Sequence, residues 1–190
     1  MAPQSPSQQP STEPIFIGFA GRMGAGKTSA ARYLSSRFGF QYVRYSEVLQ
    51  EWISPGDSDR DRLQQFGWDV MAGGLQAELN ARVIAKLDHS KSAAVDGLRH
   101  LIDFHSLSAT LGPSFAMIFL EAQPEHRFER LRSRFATLAA FYAADTHPVE
   151  AHIDELQQWA SITIRNDDSL EHLYKHLDAW MAARASGDRQ

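Results

Sequence analysis

Cysteine is missing altogether from this 190-residue chain. Its absence excludes disulfides, thiolate nucleophiles and cysteine-ligated metals together, and it suits a reducing compartment. An excess of positive charge is missing too. The formal net charge is -4, which argues against a protein built mainly to grip nucleic acid or an anionic membrane. No apolar run approaches the roughly 18–20 residues needed to span a bilayer. The first fourteen residues, MAPQSPSQQPSTEP, have neither the basic nor the apolar region of a secretory leader. A cytoplasmic protein is expected. Lysine is scarce, four residues against fifteen arginines. The rigid guanidinium fork suits phosphate oxygens, although a genome-wide preference for arginine would leave the same mark.

What is present reads as one α/β domain. Residues 1–14 carry almost nothing to bury and read as a disordered tail. Residues 183–190 read as a second flexible tail, which leaves a single folded domain over 15–182. That body opens with the apolar run Ile15–Ala20, without strict alternation, as a strand covered on both faces does. Ala30, Ala31, Leu34 and Phe38 then recur at helical spacing, Gly39 closes that helix, and Gln41–Tyr45 reads as a second strand. Strand, helix and strand in about thirty residues form a βαβ unit and imply a parallel sheet. A helical middle follows, broken at Gly73-Gly74. Residues 92–97, 115–120 and 161–165 read as three further strands. Pro124 to about Phe141 reads as one arginine-loaded helix, Val149 to Ala160 as another, and a last helix starts near Ser169. The fold class expected is a five-stranded parallel sheet with helices on both faces.

The strongest local signal is Gly21-Arg22-Met23-Gly24-Ala25-Gly26-Lys27-Thr28, which satisfies G-x-x-x-x-G-K-[ST] between a buried strand and an amphipathic helix. Glycines let successive backbone N–H groups converge on phosphate oxygens, and the helix N-terminus adds its unpaired donors. ATP is therefore the expected ligand of Gly21, Met23, Gly24, Ala25, Gly26, Lys27, Thr28 and Ser29. Lys27 is expected between the β- and γ-phosphates, and the Thr28 hydroxyl on Mg²⁺. The bland alternative is a glycine turn that binds nothing.

Further pieces resemble the P-loop nucleoside monophosphate kinase superfamily. The nearest group holds dephospho-CoA kinase, deoxynucleotide monophosphate kinases and adenylate-kinase-related proteins. The pieces are Tyr45–Leu49, Asp59–Gly67 (similar to Arg-x-x-Leu-Gln-x-x-Gly), Val95-Asp96-Gly97-Leu98-Arg99 (similar to Asp-Gly-x-Arg), Arg127–Arg134, and Glu150, Asp154 and Ala160–Asp167. The resemblance covers nearly everything between the tails. It implies a P-loop NTPase fold, an acceptor-binding helical region at about 46–90 and a short lid at about 127–148. It also implies that Asn166 frames the adenine pocket and that Ser46, Gln64 and Trp68 line the acceptor site.

The residue chemistry points the same way. Phosphoryl transfer needs two phosphorylated ligands held in line with their charge compensated. Arg60 and Arg99 fall just beyond strand ends, where open α/β folds bind ligands, and are expected to grip the acceptor's anionic group. Arg127, Arg130 and Arg134 share one face of the expected helix and are placed against the triphosphate, Arg127 as an ATP contact and the other two as catalytic groups. The alternative for each is a solvated ion pair. Asp96 ends a buried strand and is expected to orient Mg²⁺ or the acceptor, although a turn or capping role also fits. Trp52 and Trp68 suit either base stacking or the core.

The function expected is Mg-ATP-dependent phosphoryl transfer to a nucleotide-like small molecule, a nucleoside or deoxynucleoside monophosphate, by a monomer or homodimer acting on neither nucleic acid nor membrane. Transfer to the hydroxyl of dephospho-CoA and a non-catalytic nucleotide-binding regulator are the alternatives.

Overall fold

The computed structural model describes residues 13–53, 60–147, 150 and 152–186, with the side chains of Arg60, Asp61 and Gln64 outside the described set. Five strands form one sheet: β1 (Phe16–Ala20), β2 (Gln41–Arg44), β3 (Ala93–Leu98), β4 (Phe115–Glu121) and β5 (Ile162–Arg165). Their order is β2-β3-β1-β4-β5, and every pairing is parallel. β1 lies at the centre with all five residues buried, which is why its apolar run does not alternate. From β1 the chain crosses first to the β2–β3 side and later to the β4–β5 side. The crevice at its C-terminal end is the switch point where such sheets bind ligands.

Helices cover both faces. On one, α1 (Lys27–Phe38) and α8 (Leu170–Ala185) enclose Ile17, Phe19, Ala94, Ile118, Leu120 and Ile164 with their own Leu34, Leu173 and Leu177. The start of α8 is fixed by Ser169, whose hydroxyl accepts the N–H of His172. Capping of this kind stabilises a helix by about 1 kcal/mol. On the other face lie α2 (Tyr45–Trp52), α3 (Arg60–Ala72), α4 (Gln76–Ala85) and α5 (Leu101–Leu111), with a core built on Ala20, Val95, Leu98, Met117 and Phe119. Each aliphatic side chain fully buried there contributes roughly 1.5–3 kcal/mol. The break between α3 and α4 falls at Gly73-Gly74, as the sequence predicts.

Two expected helices take another form. The arginine-rich stretch is not continuous: α6 (Pro124–Arg130) ends in a turn, and α7 (Leu138–Asp145) begins afresh after Thr137. Thr137 is extended, and its hydroxyl accepts the N–H of Ala140. The break lets the fully buried Phe141 pack against Phe128 and Phe135, at ring separations of 5.7 and 5.8 Å. A straight helix would carry it past them. Arg134 therefore lies in the turn, off the face shared by Arg127 and Arg130. The second correction concerns the approach to β5, where Ile153–Trp159 is a 3-10 helix rather than an α-helix. It buries Ile153 and Leu156 against the sheet.

Candidate functional site

The glycine loop joins β1 to α1. Gly21 has φ +132°, and a Cβ there would stand 2.2 Å from the carbonyl oxygen of Leu120. Only glycine lets the loop run this close to β4. Gly26, at φ +107°, is in the left-handed region and caps α1 without a side-chain hydrogen bond. The first-turn N–H groups of α1 are thus left to the crevice. The loop rests on Asn166, whose carboxamide donates to Ala25 O at 2.8 Å and leaves no room for a Cβ on Gly26. Met23 and Ala25 are buried parts of the loop, while Gly24 and Ser29 are half-buried. Lys27 curls over the loop and donates to Gly21 O at 2.5 Å and Arg22 O at 3.0 Å.

Asp96 is the hub of the crevice. It is 2% exposed, and its Oδ2 accepts from the Thr28 hydroxyl at 2.7 Å and the Tyr42 hydroxyl at 2.9 Å. Arg44 Nε lies 3.4 Å from the same oxygen. Strand register explains the meeting, because Asp96 is level with Phe19 of β1 and Arg44 of β2. Burial, then the charge of Asp96, pushes the Tyr42 hydroxyl up to about 12. Tyr42 therefore stays a proton donor to that carboxylate at neutral pH.

Cations crowd the same space. Burial first, and then the charges of Arg99, Arg127 and Arg44, lower Lys27 to about 7 against the pull of Asp96. Arg99, the first residue after β3, is lowered to about 10, by desolvation first and then by Arg134 and Arg44 against the pull of Asp96 and Asp103. Its guanidinium donates to the buried carboxylate of Glu150. Asp103 fixes the backbone there, its carboxylate accepting the N–H groups of Arg99 and His100, each at 3.0 Å.

Arg127 and Arg130 sit differently from each other. Arg127 is 3% exposed. Its Nη1 donates to Asp145 at 2.5 Å and to Met23 O at 3.3 Å, and its Nη2 donates to Asp145 at 2.9 Å. It braces the glycine loop from behind, so its guanidinium is engaged by the protein rather than open to a triphosphate. Asp145 also accepts from Arg22, which in turn makes a bidentate contact with Asp154. Arg130 donates to Gly24 O, Asn166 O and Asp168 O, and so ties the loop to the turn after β5. Arg134 lies close enough to Arg99 for their charges to interact and stacks its guanidinium over Phe135 at 4.8 Å.

Among the expected acceptor residues, Ser46 is half-buried in the first turn of α2, and Trp68 is half-buried on α3 with its ring edge-on to His147 at 6.3 Å. Trp52 belongs to the packing, edge-on to Phe66 with the Arg82 guanidinium over its ring at 4.3 Å. The side chains of Arg60 and Gln64 lie outside the described residues. Sequence reasoning missed Tyr42 and Arg44 on Asp96, Arg22 and Asp145 behind the loop, and Glu150 on Arg99. Arg44 alone had a readable signal, a cation at a strand's C-terminal end.

The residues present fit Mg-ATP. Positive groups lower one another's proton affinity in the crevice, as a site for a polyanion requires, and the helix N-terminus adds donors. The paired hydroxyl of Thr28 and carboxylate of Asp96 are hard oxygens suited to Mg²⁺.

With this geometry in view, a family profile described as an AAA domain matches residues 17–140. The chain belongs to that family. A protein of Thermococcus onnurineus (strain NA1), provisionally named adenylate kinase, is 29% identical over 122 residues, 63% of this chain and 56% of that protein. The match thus spans little more than half of that relative's length. The UPF0200 protein of Methanosarcina barkeri is 24% identical over 85% of this chain and 91% of its own. Shikimate kinase from Bacteroides thetaiotaomicron shares the fold, with a TM-score of 0.61 at 13% identity, covering 88% of this chain and 98% of that one. The fold is of the P-loop NTPase, kinase-like kind that the sequence implies. Among the described residues no helix is long and apolar enough to cross a membrane.

Proposed function

We propose that this AAA-domain protein transfers the γ-phosphoryl group of ATP to a small phosphorylated metabolite, a nucleoside or deoxynucleoside monophosphate, releasing ADP and the diphosphate. The observation that carries the reading is the meeting of Lys27, Thr28 and Asp96 with Arg44 and Arg99 at the ends of three adjacent strands. A protein that only held a nucleotide would need the loop, but not this second bank of cations beside it. The provisional adenylate kinase name of the Thermococcus relative supports the same class of acceptor.

In this reading Gly21–Ser29 hold the donor, with Lys27 released from the loop carbonyls onto the β- and γ-phosphate oxygens. Thr28 and Asp96 would hold Mg²⁺, which when bound neutralises phosphate charge. An acceptor oxygen attacks the γ-phosphorus while the bond to the β,γ-bridging oxygen breaks, and that electron pair leaves with ADP. Arg44, Arg99 and Arg134 offset the charge of two phosphorylated ligands brought into line. Residues 127–148 serve as a short lid that Arg127 and Arg130 hinge to the loop, and the region 46–90 receives the acceptor.

A second reading, transfer to a sugar hydroxyl in the manner of dephospho-CoA kinase, is favoured by the buried carboxylate of Asp96, a group able to accept a hydroxyl proton. A retired kinase that regulates by binding nucleotide is favoured by Glu150 on Arg99. The test is ADP release from Mg-ATP against a panel of nucleoside monophosphates, deoxynucleoside monophosphates and dephospho-CoA. Stimulation by a monophosphate supports the first reading, and stimulation by dephospho-CoA alone replaces it with the second. If ATP binds and no acceptor stimulates, the regulatory reading stands instead.

A further inference from the structure

Among the described residues, Glu150 is the one buried carboxylate at the site with an oxygen left over. It is 1% exposed. Its Oε1 accepts from Arg99, and its Oε2 has no hydrogen-bond partner among the described residues. Half-satisfied burial of a charge is costly, and Arg99 is what compensates it. Arg99 is also the cation that directly follows β3 at the ligand-binding edge of the sheet, where its charge interacts with Asp96. A carboxylate of the protein therefore stands where an acceptor's anionic group would seek the guanidinium.

We propose that Glu150 sets acceptor specificity by competing for Arg99. The inference takes the location of the acceptor site from the kinase reading above. A phosphomonoester dianion brings more charge and more oxygens than a carboxylate, and can take the guanidinium in bidentate fashion. It displaces Glu150, which regains hydrogen bonds to both oxygens once it leaves the crevice. A carboxylate ligand trades like for like, and an uncharged hydroxyl compound has nothing to offer Arg99 in exchange. The pair thus admits phosphomonoesters and turns away sugar acids and unphosphorylated nucleosides. A residue that merely oriented Arg99 would act in the opposite sense, because its removal would weaken phosphate binding.

The experiment compares the wild type with Glu150→Gln and Glu150→Ala, each checked for cooperative thermal unfolding. The glycine loop is first filled with Mg²⁺ and a non-hydrolysable ATP analogue, and inorganic phosphate is then titrated calorimetrically. Phosphate is expected to bind about tenfold more tightly to either variant, the equivalent of one charge-assisted hydrogen bond removed from the competitor. Acetate binding should become measurable in the variants. Unchanged or weaker phosphate binding in the folded variants overturns the proposal. A second measurement needs no variant. In the wild type the Glu150 N–H donates to His147 O at 2.8 Å, and its hydrogen exchange should quicken when phosphate binds. Unchanged or slower exchange overturns the displacement. Turnover is assayed separately: absence of acceptor-dependent ADP release counts against the kinase reading, while the phosphate titration still decides the role of Glu150.

Discussion

The hydroxyl of Thr28 donates to Asp96 Oδ2 at 2.7 Å, joining the start of α1 to β3 across 68 residues of chain. Neither residue is informative alone. Together with Tyr42 and Arg44 on the same oxygen, they place a buried carboxylate against the glycine loop with its charge compensated from β2.

Asp96→Asn should keep the shape and lose the charge. Acceptor-dependent ADP release is expected to fall by about 100-fold or more, the scale of removing a preorganised electrostatic group, and adding Mg²⁺ should not restore it. Steady-state rates across a Mg²⁺ series check this. Near-normal kcat would remove Asp96 from the mechanism.

Lys27 carries a pH signature. Its proton affinity in the fold, about 7, is below that of an ordinary lysine. Between those values the unfolded chain holds more protons, so the stability of the nucleotide-free protein rises with pH. Below about pH 7 both states are protonated and the cost of burying the charge is fully present. Lys27→Met removes that cost. Urea unfolding of both proteins at roughly pH 6 and roughly pH 9 should find the variant's advantage larger at the lower pH. The same variant should lose acceptor-dependent turnover.

The Arg127–Asp145 pair is buried on both sides. Asp145→Ala leaves Arg127 uncompensated and should cost about 3–5 kcal/mol in urea unfolding. Replacing both members, Arg127→Met with Asp145→Leu, should recover most of that loss. A double variant as unstable as the single would show that the ion pair itself, rather than the stranded charge, matters. Both variants should weaken ATP binding, because each deprives Arg22 of Asp145 and the double variant also removes the Arg127 brace on Met23 O.

Asn166→Ala removes the amide beneath Ala25. About tenfold weaker ATP binding is expected for one lost, well-placed hydrogen bond, with little change in acceptor KM at saturating ATP. Equilibrium binding of a fluorescent ATP analogue tests it. An acceptor effect without an ATP effect would contradict the position of Asn166 under the loop.

Much of this was legible from local sequence. The loop sits between an apolar run and a periodic helix, Asp96 follows the small apolar residues of a strand, and Gly73-Gly74 breaks the helical middle. What escaped depends on partners far along the chain. Arg127, Arg130 and Arg134 have helical spacing, but Phe141 and Asp145 pull the chain into a turn and draw Arg127 inward. Tyr42 and Arg44 read as ordinary strand residues until β3 pairs beside them and sets Asp96 level with Arg44. Glu150 enters the sequence only as part of the resemblance to a closing helix, and only the tertiary fold buries it on Arg99.

The close approach of Gly21 to Leu120 has a consequence for how this chain can vary. The obstacle to a side chain at position 21 is a main-chain oxygen, which is the same atom whatever residue occupies position 120. No suppressor substitution can open that space, and a mutational screen for second-site revertants of Gly21→Ala should return only true reversion. At Gly26 the obstacle is the Asn166 side chain, so a partner change could clear the room, though the left-handed backbone would still resist. Within a single loop one glycine is thus locked by the backbone of its neighbour, and another by a residue that mutation can trim.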